Sequence, residues 1–331
     1  MTIDSSKPEF AVLGAGAIGS ILAAHLARAG HSVVVLARGR RAEYIEKHGL
    51  TIKGLIDFNV PVRVITSPQQ FRGASVLIVA MKTTGTAEAL EPLQRADVDV
   101  AFSIQNGLWK NDALVAAFGA DRVLGSLANT SGELLPSGEV LFTRNVNTYL
   151  GELRGGMSER AERVAQAIDA AGVRSTAVPD MLPREWTKFV GWVGLMTMSV
   201  ITRAETWKYL ADPDCAVLLL RLVREMSELA RASGITLTDQ HALLPIKTII
   251  ERSETEAIEA IVKSGKEFKI DAPEHRMSAL QDVIAGRPLE VDETVGDAVR
   301  RAHALRLNLP TLETFYKLTA AINRTAQNQV S

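Results

Sequence analysis

Three observations predict an α/β first half followed by an all-α second half. Within residues 10–38 a short apolar run, a glycine-rich turn, a helical repeat and a second β-branched run follow one another. A continuous apolar run recurs at Ser75 to Ala80, as in a parallel strand buried on both faces, and Val98 to Ile104 reads as another strand. Beyond Arg184 nearly all the patterning is helical, as far as Asn328. At 331 residues the chain suggests about two domains. The boundary is expected at the Pro179-Asp180-Met181-Leu182-Pro183 linker, giving domains 1–182 and 183–331.

The opening unit is the most informative. Phe10 to Leu13 reads as a strand, and Ile18, Ile21, Leu22 and Leu26 as a helix face that stops at Gly30. Val33 to Val35 reads as the next strand. Gly14, Gly16 and Gly19 lie between the first strand and the helix in G-x-G-x-x-G spacing. In a Rossmann-like unit the first glycine allows a tight turn, the second lets the backbone approach a pyrophosphate, and the third lets the helix pack on the strand. Ala17 and Ile18 then belong to the first helical turn, whose unpaired N–H groups and dipole favour phosphate. The glycine spacing alone is weak evidence, and the fitting flanks on both sides strengthen it.

The end of the second strand selects the nucleotide. A carboxylate there would hold the ribose 2′-OH of NAD. The chain has Arg38 instead, followed by Arg40 and Arg41. A guanidinium can grip a 2′-phosphate in a bidentate contact, so NADPH is the expected cofactor. The competing reading is a solvated basic start to the next helix.

Composition narrows the partners. The chain is 47% hydrophobic with a net charge of −1, which argues against a general nucleic-acid footprint. The single cysteine, Cys215, excludes an internal disulfide and fits a reducing compartment. The scattered histidines do not form a metal-binding pattern, and His25 in the first helix is expected to be structural. The polar start MTIDSSKPEF and the lack of a long apolar run predict a soluble, cytoplasmic protein that does not bind a membrane.

The remaining elements follow in order. A short helix from Ala42 to His48 precedes alternating residues Leu50, Ile52, Val60, Val62 and Val64, which predict a β-hairpin. The strand Ser75 to Ala80 ends in Met81-Lys82-Thr83-Thr84, which puts Lys82 at a strand's carboxyl end, where ligands bind in open α/β sheets. A solvated loop lysine is the competing reading. A helix from Ala87 to Gln94 precedes the strand Val98 to Ile104, which ends in Gln105-Asn106-Gly107. Asn106 is again at a strand's end, although Asn-Gly is also a common turn dipeptide. Arg122 to Leu127, Glu139 to Phe142 and Asn147 to Leu150 read as short strands, the last two as an antiparallel end to the sheet. A helix (Ser158 to Ala171) and a strand-like piece (Arg174 to Val178) close the first half. The second half predicts helices over Glu185 to Ile201, Cys215 to Ser233, Leu244 to Lys263, Met277 to Ala285, Val291 to Leu305 and Thr311 to Thr325. Asp212-Pro213, Thr238-Asp239 and Pro310 mark helix starts.

A substrate is expected in a crevice between the halves, with an acid or base from the helical side. Lys188 lies one turn into the first predicted helix after the linker, among Trp186, Phe189 and Val190. Apolar surroundings would favour its neutral form and suit it to proton transfer, and a snorkelling surface lysine has the same spacing. Glu290 opens the Val291 helix, where a carboxylate either compensates the dipole or faces a ligand. Spacing does not choose in either case.

Read together, these segments resemble the ketopantoate reductase family. The resemblance rests on GAGAIG at 14–19, the arginine after the second strand, AMKTT around Lys82, Gln105-Asn106-Gly107, Trp186-x-Lys188, and SALQDVIAGRPLEVD at 278–292. The last is close to the family's S-x-x-Q-D-x-x-x-G-R-x-T-E-I-D. The resemblance implies NADPH-dependent reduction of a 2-oxo acid to a 2-hydroxy acid. Lys188 then matches the catalytic lysine that protonates the developing alkoxide, and Glu290 a glutamate of the active site. Lys82 and Asn106 match positions lining cofactor and substrate, and Ser278 a substrate-contacting serine.

One departure bears on the substrate. The family's helix carries asparagines four and eight residues after the lysine, on the same face. Here those positions are Trp192 and Met196. Leu289 stands where a threonine is usual, and Thr294-Val295-Gly296 replaces Ile-Asn-Gly. A pocket lined by Trp192 and Met196 points to a bulkier or more apolar 2-oxo acid than 2-dehydropantoate. The alternatives are 2-dehydropantoate held by other groups, and a non-catalytic NADP(H)-binding sensor or structural protein. A homodimer through the helical domain is compatible with the sequence.

Overall fold

A computed structural model describes residues 7–239 and 244–327. Most of the polar N-terminal segment and the end of the expected helical region at Asn328 lie outside them. The chain divides into two compact units, one of residues 1–106 and 110–182, the other of 107–109 and 183–331.

The first unit begins with β1 (Phe10–Leu13), α1 (Ala17–Arg28), β2 (Val33–Leu36) and α2 (Gly39–His48). It continues with β3 (Leu50–Gly54), β4 (Phe58–Val60), β5 (Arg63–Ile65), β6 (Gly73–Val79), α3 (Thr86–Leu90) and β7 (Asp97–Ser103). α4 (Trp109–Phe118), β8 (Leu124–Leu134), β9 (Val140–Glu152), α5 (Glu159–Ala170) and β10 (Ser175–Ala177) complete it. Five strands form a parallel sheet in the order β5-β2-β1-β6-β7. The apolar runs of these strands serve both faces. In β1, Phe10 and Val12 join one core cluster while Ala11 and Leu13 join the other, and β2 and β6 alternate in the same way.

The hairpin expectation over residues 50–64 holds only for β3 and β4, which pair antiparallel with Leu50 opposite Val60. Val64 leaves that hairpin and pairs with Val35, as β5 extends the parallel sheet. A larger correction concerns residues 122–150. The expected short strands are two long ones, β8 and β9, joined antiparallel. They do not end the parallel sheet. With β3, β4 and β10 they build a second five-stranded sheet, in the order β10-β9-β3-β4 with β8 on β9. α1 packs against strands of both sheets and against α5. For this reason Gly19 to Leu26 are all buried, more completely than an amphipathic surface helix allows. The helix expected over 87–94 stops at Leu90 and tightens into a 3₁₀ turn, Glu91–Leu93, that contains Pro92.

The second unit is helical: α6 (Met181–Thr202), α7 (Thr206–Ala211), α8 (Pro213–Ala232), α9 (Ile246–Glu251), α10 (Glu254–Asp271), α11 (Ser278–Ile284), α12 (Val295–Ala304) and α13 (Pro310–Gln327). α6 starts inside the expected linker and takes Pro183 into its first turn, where the missing N–H costs nothing. Lys188 therefore stands two turns into the helix, not one. The single helix expected over 244–263 is two. Ser253 accepts from the Glu256 N–H while the Glu256 carboxylate accepts from the Ser253 N–H, a capping box that starts α10. Asp239 accepts from the Lys247 N–H (2.8 Å), so it contributes to starting α9 from eight residues upstream. α12 begins at Val295 rather than Val291, which leaves Glu290 outside any helix start. α7 has no counterpart in the sequence reading.

Candidate functional site

In the first unit the ligand-facing candidates sit at the carboxyl ends of the central strands. β1 is the middle strand, with β2 on one side and β6 on the other, and the connections after β1 and β6 leave on opposite faces. Strand ends are stitched in sequence: the Gly14 N–H donates to Leu36 (3.0 Å), Ala80 to Leu13 (2.8 Å) and Ile104 to Val79 (3.0 Å).

The three glycines of the loop differ physically. Gly14 has φ +102°, and a Cβ there would lie 2.6 Å from the Met81 nitrogen. A Cβ on Gly19 would lie 2.1 Å from the Gly14 carbonyl oxygen. Both are required by the protein's own packing. Gly16 is not: its φ is −69°, and a Cβ would meet nothing closer than the Ala80 oxygen at 4.0 Å. The space beside Gly16 is therefore available to a ligand, which fits a bound pyrophosphate. Gly16 is also the N-cap of α1, with no side-chain cap and no acidic residue in the first turn. The N–H groups of the first turn, which includes Ala17 and Ile18, are left for an anion.

The basic cluster divides. Arg38 and Arg40 are exposed just beyond the end of β2. Arg41 instead donates from Nε to the Ala15 carbonyl (2.8 Å), from Nη1 to the Gly138 carbonyl (2.6 Å) and from Nη2 to Ser20 Oγ (2.9 Å). Burial lowers its pKa from the usual guanidinium value.

Lys82 is exposed after β6 and Asn106 is half-buried after β7. A polar chain joins their two loops. Ser103 Oγ donates to Gln105 Oε1 (2.8 Å), Gln105 Nε2 to Thr86 Oγ1 (2.7 Å), and Thr86 Oγ1 to the Lys82 carbonyl (3.1 Å). Buried Lys110 donates to the carbonyls of Ser103 (3.0 Å) and Ser126. Sequence reasoning passed over Thr86 and Lys110, and the buried Gln105 appeared only as part of a triplet. Glutamine and lysine ordinarily read as surface residues, so composition gave no signal for them.

In the second unit, Lys188, Trp192 and Met196 share one face of α6. Lys188 is half-buried, whereas Trp192 and Met196 are buried in the unit's core, and Trp192 stacks on Phe189 at 6.2 Å. Ser278 is the exposed first residue of α11. Glu290 is half-buried in irregular chain before α12, its carbonyl accepting from the Thr294 hydroxyl. Thr294 is also the residue that Gly107 meets, its Cγ2 lying 3.1 Å from where a Cβ on Gly107 would stand. The 278–292 segment has a structural part as well. Arg287 pairs with Asp282 (2.7 Å) and donates its N–H to the Asp282 carbonyl (2.8 Å), closing the turn at Gly286. Burial raises the carboxyl pKa of Glu293, and the nearby Asp292 and Glu290 charges add to the effect.

Among the described residues no helix is long and apolar enough to cross a membrane, and no group of three or more His, Cys, Asp or Glu is placed to hold a metal.

Comparison with known proteins gives a consistent result. Residues 10–155 match the family profile described as ketopantoate reductase PanE/ApbA, and residues 180–323 match its C-terminal counterpart. A 2-dehydropantoate 2-reductase from Archaeoglobus fulgidus is 30% identical over 280 residues, covering 80% of this chain and 93% of that one. Among solved structures, a PanE/ApbA family ketopantoate reductase from Ralstonia eutropha JMP134 superposes with a TM-score of 0.81 at 23% identity, covering 96% of this chain and 99% of that chain. A D-mandelate dehydrogenase bound to NADH and anilino(oxo)acetate reaches the same TM-score at 16% identity, with the same coverage. The two structures bear out the expected fold, a Rossmann-like α/β domain followed by a helical one.

Proposed function

The chain belongs to the ketopantoate reductase family of dinucleotide-dependent oxidoreductases that reduce 2-oxo acids, and on that premise we propose that it uses NADPH to reduce a 2-oxo acid bulkier or more apolar than 2-dehydropantoate. The observation carrying this reading is the face of α6, where a half-buried lysine is followed at four and eight residues by buried Trp192 and Met196. Such a face offers one ammonium for a polar reacting group and, with Trp192 and Met196 packed into the unit's core, no amide at those two positions to hydrogen-bond the rest of the substrate. The 30% identical relative supports 2-dehydropantoate as the second substrate to test, and with it a place in pantothenate synthesis.

When bound, the reduced nicotinamide supplies hydride to the ketone carbon. The chain's residues supply the rest. Gly14, Gly16, Ala17, Ile18 and Gly19 form the loop and helix start that hold the pyrophosphate, and Arg38 takes the 2′-phosphate. Lys82 and Asn106 position cofactor and substrate from adjacent strand ends. Lys188 Nζ gives its proton to the oxygen as alkoxide develops, leaving a hydroxyl and a neutral amine. Glu290 orients that lysine or the ribose, and Ser278 offers a hydroxyl to the substrate. The same reading takes domains 1–182 and 183–331 as cofactor-binding and catalytic, and the enzyme as a cytoplasmic homodimer.

The test is NADPH consumption with 2-dehydropantoate and a panel of branched, aromatic and short 2-oxo acids, using the unaltered chain and Lys188→Ala. The expected result is turnover favouring an apolar oxo acid, with kcat falling about 10²- to 10⁴-fold in the variant while NADPH binding is kept. Tight NADPH binding without turnover of any oxo acid would sink the reading and move the assignment to a sensor.

A further inference from the structure

The three arginines after β2 look alike in sequence, and only Arg41 turns back into the protein. Its guanidinium reaches three separate segments: the glycine loop at Ala15, the first turns of α1 at Ser20, and the β8–β9 turn at Gly138. Ser20 is fully buried, and its hydroxyl also donates to the Ala15 carbonyl (3.1 Å), so that oxygen receives two hydrogen bonds. Tyr44, one turn further along α2, lies with its ring centroid 5.4 Å from the guanidinium carbon. A Cβ on Gly138 would come within 2.3 Å of that ring, so the turn is packed tightly against it.

The Ala15 carbonyl is the oxygen between the first two glycines of the loop. A trans peptide is planar, with its C=O and the following N–H pointing in opposite directions. Holding the Ala15 oxygen on the protein side therefore turns the Gly16 N–H away from those donors, and the space beside Gly16 is open, with nothing closer than 4.0 Å to where a Cβ would stand. We propose that Arg41 is the positioning residue of the dinucleotide loop, fixing the Ala15–Gly16 peptide so that its N–H meets the pyrophosphate, and that it does not read the 2′-phosphate. This rests on assigning the glycine loop to dinucleotide binding. Arginine suits the task because its planar fork serves three acceptors in different directions while adding a positive charge near the phosphates. Lysine could keep the charge but not that geometry.

The experiment is equilibrium titration of the full chain with NADPH, NADH and 2′-AMP, the last carrying a 2′-phosphate but no pyrophosphate. In Arg41→Lys the dissociation constants for NADPH and NADH should rise together, by about tenfold, the loss of roughly one charge-assisted hydrogen bond. Their ratio and the affinity for 2′-AMP should stay where they are. Arg38→Ala should show the converse, losing 2′-AMP affinity and the NADPH preference. Ser20→Ala, which removes the other donor to the same carbonyl, should give a smaller common rise and serves if Arg41→Lys does not fold. Loss of 2′-AMP binding in Arg41→Lys would overturn the proposal by making Arg41 a 2′-phosphate ligand. Unchanged dinucleotide affinity would overturn it by leaving Arg41 a purely structural tie. If the unaltered chain binds neither dinucleotide, the premise and the inference fall together.

Discussion

Replacing Gly16 by alanine separates folding from cofactor binding more sharply than any other change in the loop. In Gly14→Ala the new Cβ would stand 2.6 Å from the Met81 nitrogen at φ +102°, and in Gly19→Ala 2.1 Å from the Gly14 oxygen. Left-handed strain alone costs about 1–2 kcal/mol, and the backbone collisions add to it. Gly16 has neither problem: φ is −69° and the nearest atom is 4.0 Å away. Two small effects oppose each other there. Alanine restricts the unfolded chain, stabilising by roughly 0.4–1 kcal/mol, while it is a poorer N-cap than glycine. The net change should stay within about 1 kcal/mol, or roughly 2–4 °C in melting temperature for a unit of this size. Binding should suffer far more. A methyl group in the open space holds a phosphate off the backbone, and each hydrogen bond lost to a charged group costs about 1.5–3 kcal/mol. One such bond corresponds to a roughly 10- to 100-fold weaker dissociation constant. Thermal melts of the three alanine variants beside NADPH titrations test this. An unaltered affinity in Gly16→Ala would refute the claim that the space is kept for a pyrophosphate, and a melting loss as large as that of Gly14→Ala would refute the claim that the space is empty of protein.

Trp192→Asn should shift the kcat/KM ratio towards 2-dehydropantoate over apolar 2-oxo acids by about tenfold or more, because a shorter amide replaces a buried apolar side chain on the lysine's face. Trp192 is buried, so truncating it also costs about 3–5 kcal/mol and the rates are best compared at low temperature; a ratio that stays put would count against Trp192 as a specificity residue. The second concerns acid. Hydrogen bonds from Lys208, from its own backbone N–H and from Arg276 hold the Glu205 carboxyl at about 2, below the usual 4.5. A lowered carboxyl stabilises fully above its unfolded value and loses that contribution as pH falls from about 4.5 to about 2. Urea midpoints measured across that range should therefore fall more steeply for the unaltered protein than for Glu205→Gln, and parallel curves would contradict the assignment.

Much of the fold was legible because local physics decided it. The first strand, the glycine turn and α1 each carry a pattern that needs no distant partner to be recognised. The exchange of Val64 from hairpin to parallel sheet had no local sign, since a β-branched residue serves either. The second sheet was hidden for the same reason. Glu139 to Phe142 and Asn147 to Leu150 read as strand, but that they join into one strand, and which sheet receives it, depends on α1 having two faces to cover. The break before α10 is different, because Ser253-Glu254-Thr255-Glu256 is a capping-box sequence standing in plain view inside a run whose periodicity reads as one helix. Continuous helical periodicity on either side outweighed it.

The candidate site's residues stand out in the sequence one by one, and the contacts that join them do not. Glycines and strand-end positions announce themselves through backbone demands that other residues meet poorly. Arg38 and Arg41 do not, since two arginines three apart at a helix start present one composition and two opposite fates. What separates them is the acceptor geometry each can reach. Arg38 has left the sheet and faces solvent, while Arg41 lies one turn later, within reach of the Ala15 carbonyl, Ser20 and the Gly138 turn contributed by the second sheet. That last partner is 97 residues away in sequence, and no spacing rule spans such a distance. Gln105 and Thr86 repeat the lesson at 19 residues' separation, joining the loops that carry Asn106 and Lys82. The second sheet, the least predictable part of the first unit, thus supplies through Gly138 an acceptor that anchors Arg41 beside its most predictable motif.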